Sequence, residues 1–209
     1  MLPYIVPFAL FIGLSYLGTL FENGIYFMYP IKTIIVGLSL FYYRKQYQEL
    51  YQRPNFKAVN IAIFVGILVF IIWVLPEGFY PKIGSSEFNP YRFENQGFIL
   101  FLIVFRLIGA SIVVPVFEEL FWRSFLIRWI VNQDFKTVAL GKFTWLSFGL
   151  TVLFFGLEHD RWLVGMAAGA IYNGLLYKEK NIMACIIAHG VTNLILGGYV
   201  LMTRQWGFW

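Results

Sequence analysis

Apolar and polar residues follow one another along this chain in long blocks, not at the short periods of soluble helices or strands. Leu2 to Phe21 is an almost unbroken apolar block, and Glu22-Asn23-Gly24 closes it as a tight turn. Ile25 to Tyr43 is the second block. Its Lys32 is near enough to an end to carry its charge outward on its long stem. Ala58 to Leu75 is the third and stops at Pro76. Gly97 to Val131 is too long for one straight span and too short for two, and Pro115 marks an expected kink or break. Phe143 to His159, Trp162 to Tyr177 and Ile182 to about Met202 complete the series. The sixth is rich in Gly and Ala, which let helices approach closely. A helix crosses a bilayer in about 20 residues, and these blocks neither alternate nor stop at barrel-strand length. The pattern therefore predicts an all-α, polytopic transmembrane helical bundle of about seven spans, six to eight depending on how 97–131 divides. With no internal repeat and no low-complexity segment, residues 1–209 read as a single integral membrane domain. The first block has no basic leader and no small-residue cleavage site, so it is expected to be a retained helix and not a signal peptide.

The polar connections give an orientation. Arg44 to Lys57 sets Arg44, Lys45, Arg53 and Lys57 against the single acid Glu49. Connections 44–57, 124–142 and 178–181 fall on one side and are the basic ones, so that side is expected to be cytoplasmic, with the N-terminus there and the C-terminus outside. Glu77 to Gln96, with Pro81, Gly84, Ser85, Ser86 and Pro90, reads as a surface loop. The formal net charge of +5 thus reflects topology and not a nucleic-acid surface, so the bilayer is the expected surrounding and no nucleic acid is an expected partner. A chain that is 59% hydrophobic and 13% charged is not a soluble domain. Aromatics near span ends, Tyr42-Tyr43, Trp73 and Trp162, fit an interfacial belt. One cysteine, Cys185, excludes an intrachain disulfide.

Charged residues inside the blocks carry the candidate chemistry. Pro115 to Arg123 reads Pro-Val-Phe-Glu-Glu-Leu-Phe-Trp-Arg. A charge at bilayer depth costs at least roughly 2.5–3.5 kcal/mol, so each such residue is a functional hypothesis. Glu119 and Arg123 are four apart and pair on one helical face. Glu118 points about 100° away and has no such partner, which leaves it available as a general base. The competing reading of the glutamates is an ion pair that tethers two helices. Arg106, about three turns upstream, reads as satisfying backbone carbonyls or reaching an interface, with a substrate carboxylate as the alternative. The only two histidines are His159, ending an apolar block, and His189, four before Asn193 on the same face of the last block. Cys185 shares the His189 face, and reads as a small buried residue before it reads as a nucleophile.

These three segments resemble the signature of the CPBP family, the CAAX proteases and bacteriocin-processing enzymes also called Abi. Glu118-Glu119…Arg123, Phe155…His159 and His189…Asn193 match its Glu-Glu-x-x-x-Arg, Phe-x-x-x-His and His-x-x-x-Asn motifs in order. Residues 97–200 would then be the catalytic core helices. The compact architecture also resembles the CAAX-protease-related proteins that accompany bacterial exosortase systems. The resemblance implies an intramembrane endopeptidase that hydrolyses a membrane-associated protein or peptide, in the cytoplasmic (inner) membrane of a bacterium. It implies Glu118 as the base, aided by His159, with His189 and Asn193 donating to the oxyanion and Glu119 and Arg123 in support. No cofactor is expected. The rival within the enzyme class is zinc held by His159, His189 and Glu118. Outside it stand a non-catalytic membrane chaperone or immunity protein using the same cavity, and a proton-coupled transporter, which the missing repeated half disfavours. One conflict arises at this stage. His189 and Glu118 fall in the cytoplasmic half, whereas His159 lies about 24 Å along its helix from Phe143, toward the other side.

Overall fold

The computed structural model describes residues 1–84 and 87–209; Ser85 and Ser86, placed by the sequence in the long surface loop, lie outside the described residues. Among the described residues there are seven helices and no strand. They are α1 (Leu2–Gly18), α2 (Gly24–Tyr43), α3 (Phe56–Val74), α4 (Gln96–Val131), α5 (Trp145–Leu157), α6 (Trp162–Glu179) and α7 (Ile182–Thr203). Four helical runs are long and apolar enough to cross a membrane: Gly24–Gln46, which extends α2 by a short 3-10 turn, and α3, α4 and α7. Helices α1 and α5 are apolar but shorter, and α6 carries Asn173 and Tyr172 on a face buried between its neighbours. Large apolar side chains such as Leu38, Phe41, Phe64, Leu100 and Leu146 are exposed around the outside, the surface of a protein solvated by lipid. The chain is an integral membrane protein.

Local signals start the helices where the sequence places them. Asn55, Asn95, Thr144 and Asn181 cap α3, α4, α5 and α7, each side-chain oxygen accepting from a backbone N–H of the first turn. Lys180 takes a left-handed conformation (φ 49°), which stops α6 one residue before the Asn181 cap starts α7. The helices then pair: α1 lies along α2, α3 along α7, and α5 along α6, with α6 also meeting α3 and α7. Small residues set these approaches. A Cβ on Gly66 of α3 would stand 2.5 Å from the Ala188 carbonyl of α7.

Helix α4 runs through the middle, touching α1, α2, α5 and α7. It does not break at Pro115, as the sequence suggests. It stays helical throughout, and the irregularity is spread over two wider π turns, Gly109–Val113 and Leu120–Leu126, on either side of the regular turn Val114–Glu119. Pro115 has no N–H to offer the Ser111 carbonyl four residues before it, or, across the wider turn, the Ala110 carbonyl five before it. Helix α7 meets that deficit. Asn193 Nδ2 donates to the Ala110 carbonyl at 2.8 Å, and Gly190 lies against the Ser111 carbonyl.

The two connections read as polar surface both reach inward. Tyr47 is buried and its hydroxyl donates to the Pro3 carbonyl at 2.6 Å. Glu49 accepts from Ser124, Arg128 and Tyr4, locking the 44–57 connection to α1 and α4. In the 77–95 loop, Phe88 is buried and Glu77 accepts from Arg161 Nε and Nη2 at 2.8 and 2.9 Å. Arg161 also donates to the Gly207 carbonyl at 2.6 Å, so one guanidinium ties this loop to the C-terminal segment Trp206–Trp209.

Two expectations follow. A Cβ on Gly190 would meet the Ser111 carbonyl at 2.8 Å, whereas nothing lies within 4 Å of one on Gly198. Gly190→Ala should lower stability by about 1–3 kcal/mol in a detergent melt, and Gly198→Ala should leave it unchanged or slightly raised. The loop tie should depend on pH. Partial burial pushes the Glu77 carboxyl up, but the hydrogen bonds and charges of Arg161 and Lys82 outweigh this and hold it below the ordinary 4.5. A carboxyl held lower in the folded state stabilises fully above its unfolded value and loses that contribution as pH falls through the folded one. Protection of the 77–95 loop from proteolysis should therefore be constant above about pH 5 and decline below about 4.5; protection that increases with acid would contradict the pairing.

Candidate active site

The regular turn of α4 between its two π stretches carries Glu118 and Glu119, and both are buried. Glu119 is wholly enclosed. Its Oε1 accepts from Arg123 Nη1 at 3.2 Å, the four-residue pairing the spacing predicts, and also from His189 Nδ1 at 2.9 Å. Arg123 continues outward: its Nε donates to Asn173 Oδ1 on α6 at 3.2 Å, and Asn173 donates to Thr151 Oγ1 on α5 at 2.9 Å. The guanidinium lies over the Phe155 ring, 4.1 Å from its centre. One chain of polar contacts therefore joins α7, α4, α6 and α5. The His189 ring stacks on Tyr172, at 5.2 Å between centres, and the Tyr172 hydroxyl donates to Thr192.

Glu118 is placed differently. It accepts no hydrogen bond from the described residues, and its Oε2 is buried without a partner. It borders a partly open cavity of about 360 Å³. The same cavity is bordered by His159, His189 and Asn193, so all four residues singled out in the sequence meet there. The conflict over depth disappears in the structure. Helix α5 begins at Trp145, has 13 residues and stops at Leu157, so it covers about 20 Å and not a full bilayer. Gly156 lets α6 turn back tightly against it, since a Cβ there would stand 2.8 Å from the Trp162 carbonyl. His159 is thus held in the turn at the rim of the cavity. Its Nδ1–H donates to the Phe155 carbonyl at 2.7 Å, which leaves Nε2 as the nitrogen with a free lone pair.

The two residues expected to donate to an oxyanion are both engaged. Asn193 Nδ2 bonds the Ala110 carbonyl, and His189 Nδ1 bonds Glu119. With Nδ1 donating to a carboxylate, His189 donates through Nε2 only when the ring carries both protons. Among the described residues no three His, Cys, Asp or Glu side chains are gathered as a metal-ligand set, so the triad His159, His189 and Glu118 does not fit zinc as it stands. Cys185 is buried, its thiol donating to the Tyr172 carbonyl at 3.7 Å, and it does not border the cavity.

Sequence reasoning missed two acidic residues of the site, Glu158 and Asp160, which both border the cavity. Glu158 borders the cavity, and its Oε2 accepts from Trp122 Nε1 at 3.1 Å. The available signal was its place beside His159, together with a Trp three residues after Glu119 on the same helix. Tyr172 and Asn173 were also unassigned, and Trp73, read as part of an interfacial belt, sets its ring edge-on to His159 at 5.3 Å.

A helical bundle with a lipid-facing exterior and a buried carboxylate–histidine cavity is an integral membrane protein with an internal site. Residues 96–195, a little under half of the chain, match the family described as type II CAAX prenyl endopeptidase Rce1-like, so this segment is similar to the CAAX endopeptidases. The match opens on the first residue of α4 and ends two residues after Asn193, so it spans all three motifs. No curated protein and no solved structure matches the chain.

The geometry separates the two glutamates. Glu119→Gln leaves Arg123 buried without its charge partner and also weakens the His189 bond, and Arg123→Gln leaves Glu119 in the same position. Each should lower stability in a detergent melt by about 3–5 kcal/mol. Glu118→Gln removes a charge that no protein group pairs and should melt at or above the unmutated temperature. A Glu118→Gln protein less stable than Glu119→Gln would reverse the assignment.

Proposed function

We propose that the chain is an intramembrane endopeptidase that cuts a membrane-associated protein or peptide with a water activated by Glu118. The observation that carries this reading is the contrast within the pair: Glu119 is committed to Arg123 and His189, whereas Glu118 borders the cavity with no hydrogen-bond donor of its own among the described residues. In the reaction Glu118 takes a proton from water as the oxygen attacks the scissile carbonyl, forming a tetrahedral oxyanion. The proton then passes to the departing amine nitrogen as the C–N bond breaks. His159 holds the water through Nε2. His189, whose Nδ1 is held by Glu119, faces the oxyanion with Nε2 and donates to it when that nitrogen carries a proton, and the Asn193 amide joins it through the second N–H of Nδ2, the first staying on Ala110. Glu119 and Arg123 fix the turn that presents Glu118. The arrangement supports a metal-free glutamate mechanism, since the three zinc candidates are not gathered as ligands. The basic connections support placement in a bacterial cytoplasmic membrane with 44–57 facing the cytoplasm.

The test combines substrate discovery with two variants. Membrane proteins from cells with and without the chain are compared by mass spectrometry of their termini, and a trimmed candidate is then offered to purified protein. Glu118→Gln should reduce turnover by at least about a thousandfold with substrate binding retained, a change in kcat and not KM. Glu158→Gln should change the pH profile while leaving measurable turnover. Activity should survive strong chelators; loss restored specifically by zinc, or substantial turnover by Glu118→Gln, would sink the mechanism.

A further inference from the structure

The mechanism makes no use of two cations that border the same cavity. Lys32 of α2 is 8% exposed, and among the described residues its hydrogen bond goes to the Ser15 hydroxyl of α1 at 2.6 Å. Arg106 of α4 has its Nε buried without a partner. Both rest on the Tyr29 ring, with Lys32 Nζ 4.8 Å and the Arg106 guanidinium carbon 4.3 Å from its centre, so the two charges are no further apart than those distances laid end to end. Among the described residues neither forms an ion pair, although Glu118 and Glu158 border the same cavity and Glu87 borders the neighbouring one. Aromatic faces attract each cation in part. They do nothing for the repulsion between two like charges over one ring at membrane depth.

Lys32, Arg106, Tyr29 and Trp209 also border a second cavity of about 260 Å³ between α1, α2 and the 77–95 loop. The cations thus stand at the junction of two chambers, one of which contains Glu118. From these observations we infer that Lys32 and Arg106 form a carboxylate-binding subsite that holds an acidic group of the substrate and sets which peptide bond reaches Glu118. The inference rests on the proteolytic reading above. A guanidinium fork beside an ammonium suits a carboxylate, whether it ends a chain or belongs to an Asp or Glu side chain. Arg106 and Glu118 are twelve residues apart on α4, on the order of 18 Å along its axis. An extended chain covers that in about five residues, so the carboxylate is held apart from the bond being cut and acts as a ruler for it.

Direct binding tests this without turnover. N-lauroyl-glycine presents a chain-end carboxylate, N-lauroyl-aspartic acid α-amide a side-chain one, and N-lauroyl-glycinamide none. Each is titrated calorimetrically into the full chain in detergent. At least one acid should bind tenfold or more tightly than the neutral amide, and which one does identifies the source of the carboxylate. Arg106→Gln and Lys32→Gln should each erase that preference while melting no lower than the unmutated chain, and Arg106→Lys should keep part of it. Equal binding of acid and amide by the unmutated chain overturns the inference whatever the variants do. So does a preference that survives both glutamine substitutions. Lauryl phosphate binding tenfold more tightly than both acids would overturn it in favour of a lipid headgroup site. Acid-selective binding without hydrolysis of any trimmed candidate would refute the protease reading and leave the subsite standing, and hydrolysis indifferent to acid or amide would do the reverse.

Discussion

The organisation of the site depends on one carboxylate oxygen. Glu119 Oε1 receives hydrogen bonds from Arg123 of its own helix and from His189 of α7. Burying a carboxylate and a guanidinium is expensive, and the contact is sustained only where further hydrogen bonds complete the geometry. Here Asn173 supplies one and Thr151 extends the chain to α5. Four helices are thereby held in one register around a point where lipid-like packing alone would specify little, because apolar helices slide past one another at low cost. Glu118 is the beneficiary. It is the next residue on a turn whose position is fixed by its neighbour's partners, so it need not spend its own oxygens on structure.

The path of α4 makes that turn possible. Pro115 takes a donor out of the helix just before the glutamates, and the wide turns to either side redistribute the deficit without ending the helix. Asn193 answers it by donating to Ala110, which makes the same asparagine a structural partner of α4 and a wall of the cavity. A residue with both duties couples the site to the backbone: one N–H of its amide nitrogen is held by the Ala110 carbonyl, and the second is left for the cavity. Gly190, one turn earlier on α7, allows the close approach that this bond requires.

Much of this was legible in the sequence, for reasons that differ from residue to residue. Block length gave the helices to within a few residues, because burial in a membrane forces every backbone group into helical bonds. Four-residue spacing gave the Glu119–Arg123 pair, a contact within one helix. The contacts between helices were not legible. Nothing in the spacing says that His189 turns to Glu119, or that Glu49, the single acid in a basic connection, bonds Arg128. The sequence left a kink or a break open at Pro115, and the structure keeps the helix continuous because its irregularity is spread over two π turns and a neighbouring helix supplies a donor. Glu158 was overlooked because its meaning depends on Trp122, 36 residues away. The sequence assigned a full span to Phe143–His159, whereas α5 stops short, because its length is set by the tight return of α6 over Gly156 and not by the thickness of a bilayer.

That short helix also bears on how water reaches the site. Helix α5 ends at Leu157, and the turn after it brings Glu158, His159, Asp160 and Arg161 to the cavity in consecutive positions. Four polar residues in a row at the rim replace what would have been another turn of apolar helix. Deeper in, Glu118 Oε2, Glu119 Oε2 and Arg123 Nη2 have no hydrogen-bond partner among the described residues. A buried polar atom left unpaired costs about 1–3 kcal/mol, more when charged, so a fold designed only for stability would not keep three of them together. Of the three residues, Glu118 is the one that borders the cavity, so it is the one that a water entering through the polar rim would meet. Stability and chemistry thus oppose each other over a few ångströms of α4, and the Glu119–Arg123–Asn173 chain offsets the cost from beside the site.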